Sequence, residues 1–355
     1  MQRAEPDGKR RPWLTANRVT VARLLPMPLV AWLLYQDATG WWWAMSLGAV
    51  IASTDYVDGY LARKHGPTEL GGLLDPIADK VFIALTYLPL CDLGFFPATA
   101  VALVFVRELV VTALRSAFYQ RGMTMKTSYV AKAKTWSQMQ GMMTLVVLAL
   151  VDSRTFSVCA LIGFTVGVVG IGVAVWVKRR RLWRPALFGA GFFGLGTVFY
   201  ATLPLMDATR AALWMFVAVT VASGVDYLWA IPRLIRARAA QSGDIARMAL
   251  ALALPVLAVV ILRDTEVAFG LVGAVVAIEL TVGGLDNLLS HHGAQASGRS
   301  WGIHAVLVAG LLVLALCATS AGVATAAAIG ATIASLAFAV REFWRGRAYY
   351  LTALD

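Results

Sequence analysis

Long apolar runs, separated by short polar segments, make up almost the whole chain. Each run is long enough for a tilted helix that crosses a membrane. The runs lie at residues 19–36, 41–64, 72–92, 97–120, 129–151, 155–177, 186–205, 209–232, 247–263, 266–289, 301–319 and 321–340. This pattern predicts an all-α, polytopic transmembrane helical bundle of about twelve helices. Because no small-residue cleavage site follows the first run, we expect a retained anchor rather than a cleaved signal peptide.

Composition agrees with this class of protein. Of 355 residues, 59% are hydrophobic and 14% are charged, against about 45–50% and about 25% in ordinary soluble domains. These values exclude a soluble enzyme, a coiled coil and a disordered chain. The three cysteines are far apart in apolar runs, which favours small core residues over a disulfide framework or a metal cluster.

The formal charge of +11 would indicate a nucleic-acid partner in a soluble protein, but here its distribution is what matters. Twenty-seven lysines and arginines fall on the side of the amino terminus, and three fall on the other side. Basic loops stay in the cytoplasm. We therefore expect an inner, cytoplasmic membrane protein with both termini and the active site in the cytoplasm, and no nucleic-acid partner.

Four aspartates interrupt two apolar runs. Asp55 and Asp58 lie three residues apart near the end of the second run, and Asp75 and Asp79 lie four apart at the start of the third. Each pair shares a helix face, and a charged residue in a span costs roughly 2.5–3.5 kcal/mol on insertion scales. An antiparallel hairpin would bring the two faces together. Such a carboxylate group predicts two bound divalent ions, Mg²⁺ or Mn²⁺.

Neighbouring residues favour transfer of a phosphoryl-containing group. Gly59 and Ala62 leave space beside the backbone, and Arg63 offers a planar fork to phosphate oxygens. Local alternatives exist for two aspartates: Asp75 before Pro76 fits a helix start, and Asp58 before Gly59 fits a helix end. Neither alternative explains all four acids.

These residues complete a motif, D-x-x-D-G-x-x-A-R, seven residues, then G-x-x-x-D-x-x-x-D, that resembles the signature of the CDP-alcohol phosphotransferases. The resemblance implies a six-helix membrane core, with additional C-terminal helices in this chain. It also implies that the four aspartates ligate two metal ions and that Asp79 is the general base. The residues implied to hold the CDP group of a CDP-linked lipid are Gly59, Ala62, Arg63 and Gly71.

Basic residues downstream are candidates for the acceptor site. Arg107 lies within the fourth run and Arg115 follows two turns later, while Lys132 and Lys134 lie near the start of the fifth run. A buried arginine needs an anion, which Glu108 could also supply, and the lysines could be ordinary cytoplasmic loop charge. A phosphorylated acceptor would explain the whole set.

Together with Asn17-Arg-Val-Thr20-Val-Ala-Arg23, this pattern resembles the branch that forms phosphatidylglycerophosphate. The resemblance implies CDP-diacylglycerol and glycerol 3-phosphate as substrates. The acceptor hydroxyl would lose its proton to Asp79 and displace CMP at the β-phosphorus. Inositol phosphate or another alcohol is the alternative acceptor. A non-catalytic scaffold or lipid transporter built on the enzyme core is the alternative class.

Three segments are expected. Residues 1–16 form a basic cytoplasmic segment, residues 17–238 form the phosphotransferase domain, and residues 239–355 form a four-helix extension with no assigned role. The domain ends near residue 178 if the run at 155–177 is the sixth core helix, and near 238 if two runs are inserted. Small residues in the extension favour close packing against membrane partners or in a homodimer.

Overall fold

The structure is a computed structural model that describes residues 16–65, 69–123, 141–182, 184–228, 231–232, 241–294 and 296–350. These residues form helices and contain no strand, as the apolar pattern predicts. The first helices are α1 (Ala16–Leu24), α2 (Met27–Leu34), α3 (Ala38–His65), α4 (Glu69–Asp92), α5 (Ala98–Tyr119) and α6 (Met142–Val151). They are followed by α7 (Arg154–Arg179), α8 (Arg184–Thr202), α9 (Leu205–Leu228), α10 (Ser242–Asp264), α11 (Phe269–His291), α12 (Gly298–Cys317) and α13 (Ala321–Tyr350).

Each predicted run has a helical counterpart. The first run is divided into α1 and α2 by a turn at Leu25 and Pro26, since proline disfavours a helical conformation in the residue before it. Of the fifth run, the described part is α6. The seven helices from α7 to α13 are long and apolar enough to cross a membrane. The protein is therefore a polytopic integral membrane protein.

Helix α5 lies at the centre of the packing. It contacts α4, α9, α10 and α11, while α1 and α2 each contact both α3 and α4. Helix α11 approaches the core closely at two glycines: a Cβ on Gly283 would lie 2.9 Å from Thr112, and one on Gly284 would lie 2.7 Å from Ile77. The C-terminal helices thus pack directly on the helices that carry the predicted site.

Helices α7 and α8 lie at the periphery. They pack mainly on each other, for example through Phe164 and Phe193, whose rings stack with centroids 5.1 Å apart. Only 6% of the apolar stretch of α7 is buried. A lipid-facing surface accounts for this exposure, because apolar side chains are at no disadvantage in hydrocarbon.

Candidate active site between the first and fourth helices

Asp75 and Asp79 lie one turn apart on α4. Helix α4 begins at Glu69, six residues before Asp75, and includes Pro76. Asp75 is therefore not a helix N-cap, and that local alternative is wrong. Asp58 and Gly59 likewise lie inside α3, which continues to His65, so they do not end a helix. Neither aspartate is needed to begin or end a helix. Their presence in these helices therefore favours a chemical role.

Helix α1 supplies partners for both carboxylates of α4. Thr20 Oγ1 donates a hydrogen bond of 2.9 Å to Asp75 Oδ1. The Arg23 guanidinium lies 3.9 Å from Asp75 Oδ1 and 3.7 Å from Asp79 Oδ1. The Arg23 side chain is 1% exposed, whereas those of Asp75 and Asp79 are 41% and 27% exposed. The arginine thus lies behind the carboxylates, and part of each carboxylate remains accessible to a ligand.

Asp55 and Asp58 share a face of α3 by their spacing on the helix, but their side chains lie outside the described residues. The surroundings of the residues expected to hold CDP, which are Gly59, Ala62, Arg63 and Gly71, are likewise outside what the structure describes. Among the residues described, no three acidic, histidine or cysteine side chains gather as a metal site. The predicted four-aspartate metal site therefore stays a prediction, with Asp75 and Asp79 as its described half.

Lys80, next to Asp79, connects α4 to α5. Its ammonium group donates a hydrogen bond of 2.6 Å to Thr112 Oγ1. The Thr112 hydroxyl in turn donates to the Glu108 carbonyl oxygen at 2.6 Å. This contact fixes the position of α5 relative to the carboxylates.

Arg107 is buried and has partners within the protein. Its Nη1 lies 3.2 Å from Glu108 Oε1, and its Nη2 donates to the Ser223 carbonyl oxygen at 3.4 Å. Gly224 allows this approach, since a Cβ there would lie 3.1 Å from Arg107 Cγ. Glu108 thus supplies the anion that a buried arginine needs, and contact of Arg107 with the acceptor stays a prediction.

Arg115 is more accessible than Arg107 and has an uncharged partner. Its Nη2 donates a hydrogen bond of 2.8 Å to Tyr227 Oη on α9. The guanidinium carbons of Arg115 and Arg107 lie 5.4 Å and 5.9 Å from the centroid of the Tyr227 ring. An aromatic face can position an arginine without neutralising its charge. Arg115 therefore retains its capacity to bind a phosphate.

Lys132 and Lys134 lie outside the described residues. Three residues that contact the candidate site were not predicted as site residues: Thr20 and Arg23, which the sequence offered only as part of a family-like segment, and Tyr227. A signal for Arg23 was present, because a charged residue in an apolar span is a candidate for function. Tyr227 had no such signal, since its proximity to Arg115 arises only when α9 packs on α5.

Polar side chains continue from α5 into the C-terminal helices. Ser116 donates to Asn287 Oδ1 at 2.7 Å, and the Gln120 amide forms a hydrogen bond of 3.2 Å with Ser290 Oγ. Arg121, just beyond α5, forms an ion pair with Asp244 at the start of α10. These contacts fasten the end of α5 near the candidate site to α10 and α11.

The helices that carry this site lie within the part of the chain that is similar to known proteins. The profile of the CDP-alcohol phosphatidyltransferase family matches residues 13–178. A CDP-diacylglycerol–glycerol-3-phosphate 3-phosphatidyltransferase of Pseudomonas fluorescens is 32% identical over 172 residues, which cover 47% of this chain and 87% of that protein. A probable phosphatidylglycerophosphate synthase of Mycobacterium tuberculosis is 38% identical over 35% of this chain and 61% of that protein. No solved structure matches.

The fold and the site define a membrane-embedded helical protein whose carboxylates lie at one end of a helical bundle. These matches show that the chain belongs to the CDP-alcohol phosphatidyltransferase family. Each reported match leaves more than half of this chain uncovered.

Proposed function

We propose that this protein transfers a phosphatidyl group from CDP-diacylglycerol to the hydroxyl of glycerol 3-phosphate and releases CMP, a step of phospholipid biosynthesis. The observation that carries the proposal is the pair of half-accessible carboxylates on α4, held by Thr20 and Arg23 within a complete family motif. The names of the relatives support this donor and acceptor.

The donor set fits hard divalent cations. Carboxylate oxygens are the ligands that Mg²⁺ and Mn²⁺ prefer, and Asp75 and Asp79 present theirs on one accessible face. With Asp55 and Asp58 they would hold two ions, which neutralise the pyrophosphate of the donor when bound. The buried Arg23 contributes a fixed positive charge beside the same carboxylates.

Asp79 is the proposed general base. Its carboxylate takes the proton from the acceptor hydroxyl, whose oxygen forms a bond to the β-phosphorus of the donor. The bond between that phosphorus and the oxygen of CMP breaks, and CMP leaves with the electron pair. Arg63 is proposed to bind the departing phosphate, together with the CDP contacts of Gly59, Ala62 and Gly71.

The acceptor is proposed to bind through its phosphate. Arg115, positioned by Tyr227, is the described donor with charge to offer. Lys132 and Lys134 are proposed to complete the phosphate site with Arg107. A dianion at the cytoplasmic surface suits several charge-assisted hydrogen bonds, whereas a neutral alcohol would leave these cations unmatched.

The test is acceptor-dependent CMP release by the purified full-length protein. It is measured with CDP-diacylglycerol, Mg²⁺ and a panel that includes glycerol 3-phosphate, inositol phosphate and neutral alcohols. We expect release with glycerol 3-phosphate alone. Release with inositol phosphate instead would replace the acceptor assignment. No release with any acceptor would favour the scaffold or transporter class.

A variant pair tests the general base in the same assay. Asp79→Asn should lower CMP release by about 10²- to 10⁴-fold, the usual contribution of proton transfer to a positioned base, and should still bind the CDP-lipid. Asp264→Asn, on the exposed end of α10, is the matched control and should have normal activity. Normal turnover by Asp79→Asn would end the assignment.

A further inference from the structure

An open groove lies along the contact between α12 and α13 on the outer surface of the bundle. Its volume, including the space that is open to the outside, is about 830 Å³. Apolar side chains form its walls, and Ile303 and Leu307 are 61% and 48% exposed. Two buried rings form its floor: His304 and Phe338 stack with centroids 4.0 Å apart. The groove is therefore a depression with an apolar part around Ile303 and Leu307 and a packed floor.

One end of the groove is positively charged. Arg299 and Arg341 both line it and are both exposed. The Arg341 guanidinium donates a hydrogen bond of 2.8 Å to Ser300 Oγ, a side chain on the groove floor. A neutral hydroxyl holds this arginine in place and leaves its charge available.

Acidic residues nearby do not cancel this charge. Glu342, adjacent to Arg341, is buried and pairs with a different arginine, Arg345, at 3.2 Å from both carboxylate oxygens. Within the described parts of the chain neither Arg299 nor Arg341 forms an ion pair. The groove end thus has two arginines without an ion-pair partner in the described residues, although the charge of Glu342 also acts on Arg341.

The position of Arg341 along α13 is the one expected for a residue at the membrane interface. Ala321 and Arg341 are separated by about 30 Å along α13 at 1.5 Å per residue, which equals the usual thickness of the hydrocarbon layer. Beyond Arg341, Trp344 is 64% exposed and lies under Arg347 at 4.4 Å, an arrangement typical of the interfacial region. The apolar part of the groove therefore lies among acyl chains and its charged end lies among headgroups.

The charged end faces the same side of the membrane as the candidate active site. Trp301, near the start of α12, donates to Asp286 Oδ1 at 3.2 Å, and Asp286 pairs with Arg247 of α10. The start of α10 is joined to the end of α5 through Asp244 and Arg121. The groove thus opens to the leaflet in which a membrane-bound donor would reach Asp75 and Asp79.

We propose that this groove binds an anionic glycerophospholipid of that leaflet. Arg299 and Arg341 bind the phosphate and the anionic headgroup, and an acyl chain lies along Ile303 and Leu307. A zwitterionic lipid fits the apolar part equally well but adds a positive headgroup charge beside two arginines. The groove should therefore bind anionic lipids in preference to zwitterionic lipids. This inference does not depend on the proposed reaction, because none of its residues belongs to the proposed catalytic or substrate sites.

The test measures lipid retained by the full-length protein. Delipidated protein is exchanged into micelles with equal amounts of phosphatidylglycerol and phosphatidylcholine, and bound lipids are counted by native mass spectrometry. We expect preferential retention of phosphatidylglycerol. The double variant Arg299→Gln/Arg341→Gln should lower that preference by about tenfold or more, given the attraction of each cation to anionic lipid. Arg181→Gln, which removes an exposed charge beyond α7, is the matched control and should retain it.

A second variant tests the apolar part. Ala337 is an exposed residue of the groove wall, so Ala337→Phe fills the groove without altering the core. It should reduce retention of both lipids at this site and leave the melting temperature unchanged. An unchanged lipid preference in the double arginine variant would overturn the proposal. An equal loss in Arg181→Gln, or full retention in Ala337→Phe, would also overturn it.

Discussion

Individual charged residues in this bundle have partners on the same helix or on a neighbouring one. Arg23 lies beside Asp75 and Asp79, Arg107 pairs with Glu108, and Arg115 contacts Tyr227. These partners differ in what they leave available. A carboxylate neutralises an arginine, whereas a phenol and its ring position the arginine and preserve its charge. The choice of partner thus makes Arg115 the better-placed candidate ligand for phosphate, whereas Arg107 would share its charge between Glu108 and the acceptor.

This difference predicts an effect on acceptor affinity. Arg115→Ala should raise the KM for glycerol 3-phosphate about tenfold, the equivalent of one charge-assisted hydrogen bond to phosphate, with a smaller change in kcat. Initial-rate measurements of CMP release at varied acceptor concentrations check this result. Lys132→Ala should act in the same way.

Two further variants complete that series. Tyr227→Phe keeps the ring but removes the hydroxyl that accepts from Arg115, so its increase in KM should be smaller. Arg210→Ala, an exposed residue of α9 that lies 3.9 Å from Asp207, is the control. If KM is the same in Arg115→Ala as in the parent protein, Arg115 is not part of the acceptor site.

Among the helices, α5 is shared by two sets of neighbours. On one side its arginines form hydrogen bonds with Ser223 and Tyr227 of α9, and on the other side it packs on α10 and α11. Helix α7 makes no comparable contact with it. This packing favours α9 as the sixth core helix and α7 and α8 as an inserted pair, and a domain end near residue 238 stays a prediction beside the alternative end near residue 178. The family profile itself ends at residue 178, before α9.

The ion pair between α10 and α11 predicts a stability effect. Arg247 and Asp286 are buried and 3.0 Å apart, and Arg247 also lies over the Trp301 ring at 4.8 Å. Arg247→Met leaves a buried carboxylate without its cation, which costs about 3–5 kcal/mol in other proteins. Thermal unfolding of the protein in detergent should show a clearly lower Tm.

A compensating change separates the charge from the packing. In Arg247→Met/Asp286→Asn the unpaired charge is gone, so most of the lost stability should return. Arg263→Met removes an exposed partner of Asp264 at the other end of α10 and should change the Tm little. A Tm for Arg247→Met equal to that of the parent would show that this pair does not hold α10 to α11.

For the whole molecule, the lopsided distribution of basic residues predicts its orientation. The ends of the helices that carry the candidate site are on the basic side, and Tyr35 and Asp92, joined by a hydrogen bond of 2.7 Å, are on the other. We expect the basic side to be cytoplasmic.

Single cysteines can test this orientation once Cys91, Cys159 and Cys317 have been replaced. Gln241 and Glu266 are exposed at opposite ends of α10. In intact cells a membrane-impermeant maleimide should label Glu266→Cys at once and Gln241→Cys only after the membrane is permeabilised. The reverse order of labelling would place the site on the outside.

The sequence by itself determined the class of the protein and the positions of its helices. Apolar periodicity and length are local properties, and a membrane requires each span to satisfy its own backbone hydrogen bonds. The family motif is also local, since each pair of aspartates lies within one helical turn. The break of the first span at Pro26 was equally local but was not predicted.

Tertiary structure alone decided which helices meet. Thr20 and Arg23 reach Asp75 and Asp79 because α1 packs on α4, and Tyr227 reaches Arg115 across 112 positions of the chain. The same packing places the C-terminal helices on α4 and α5 and leaves a groove between α12 and α13. In a bilayer these contacts depend on close fit, hydrogen bonds and paired charges between helices. Apolar periodicity carries none of that information, because nearly every face of these helices is apolar.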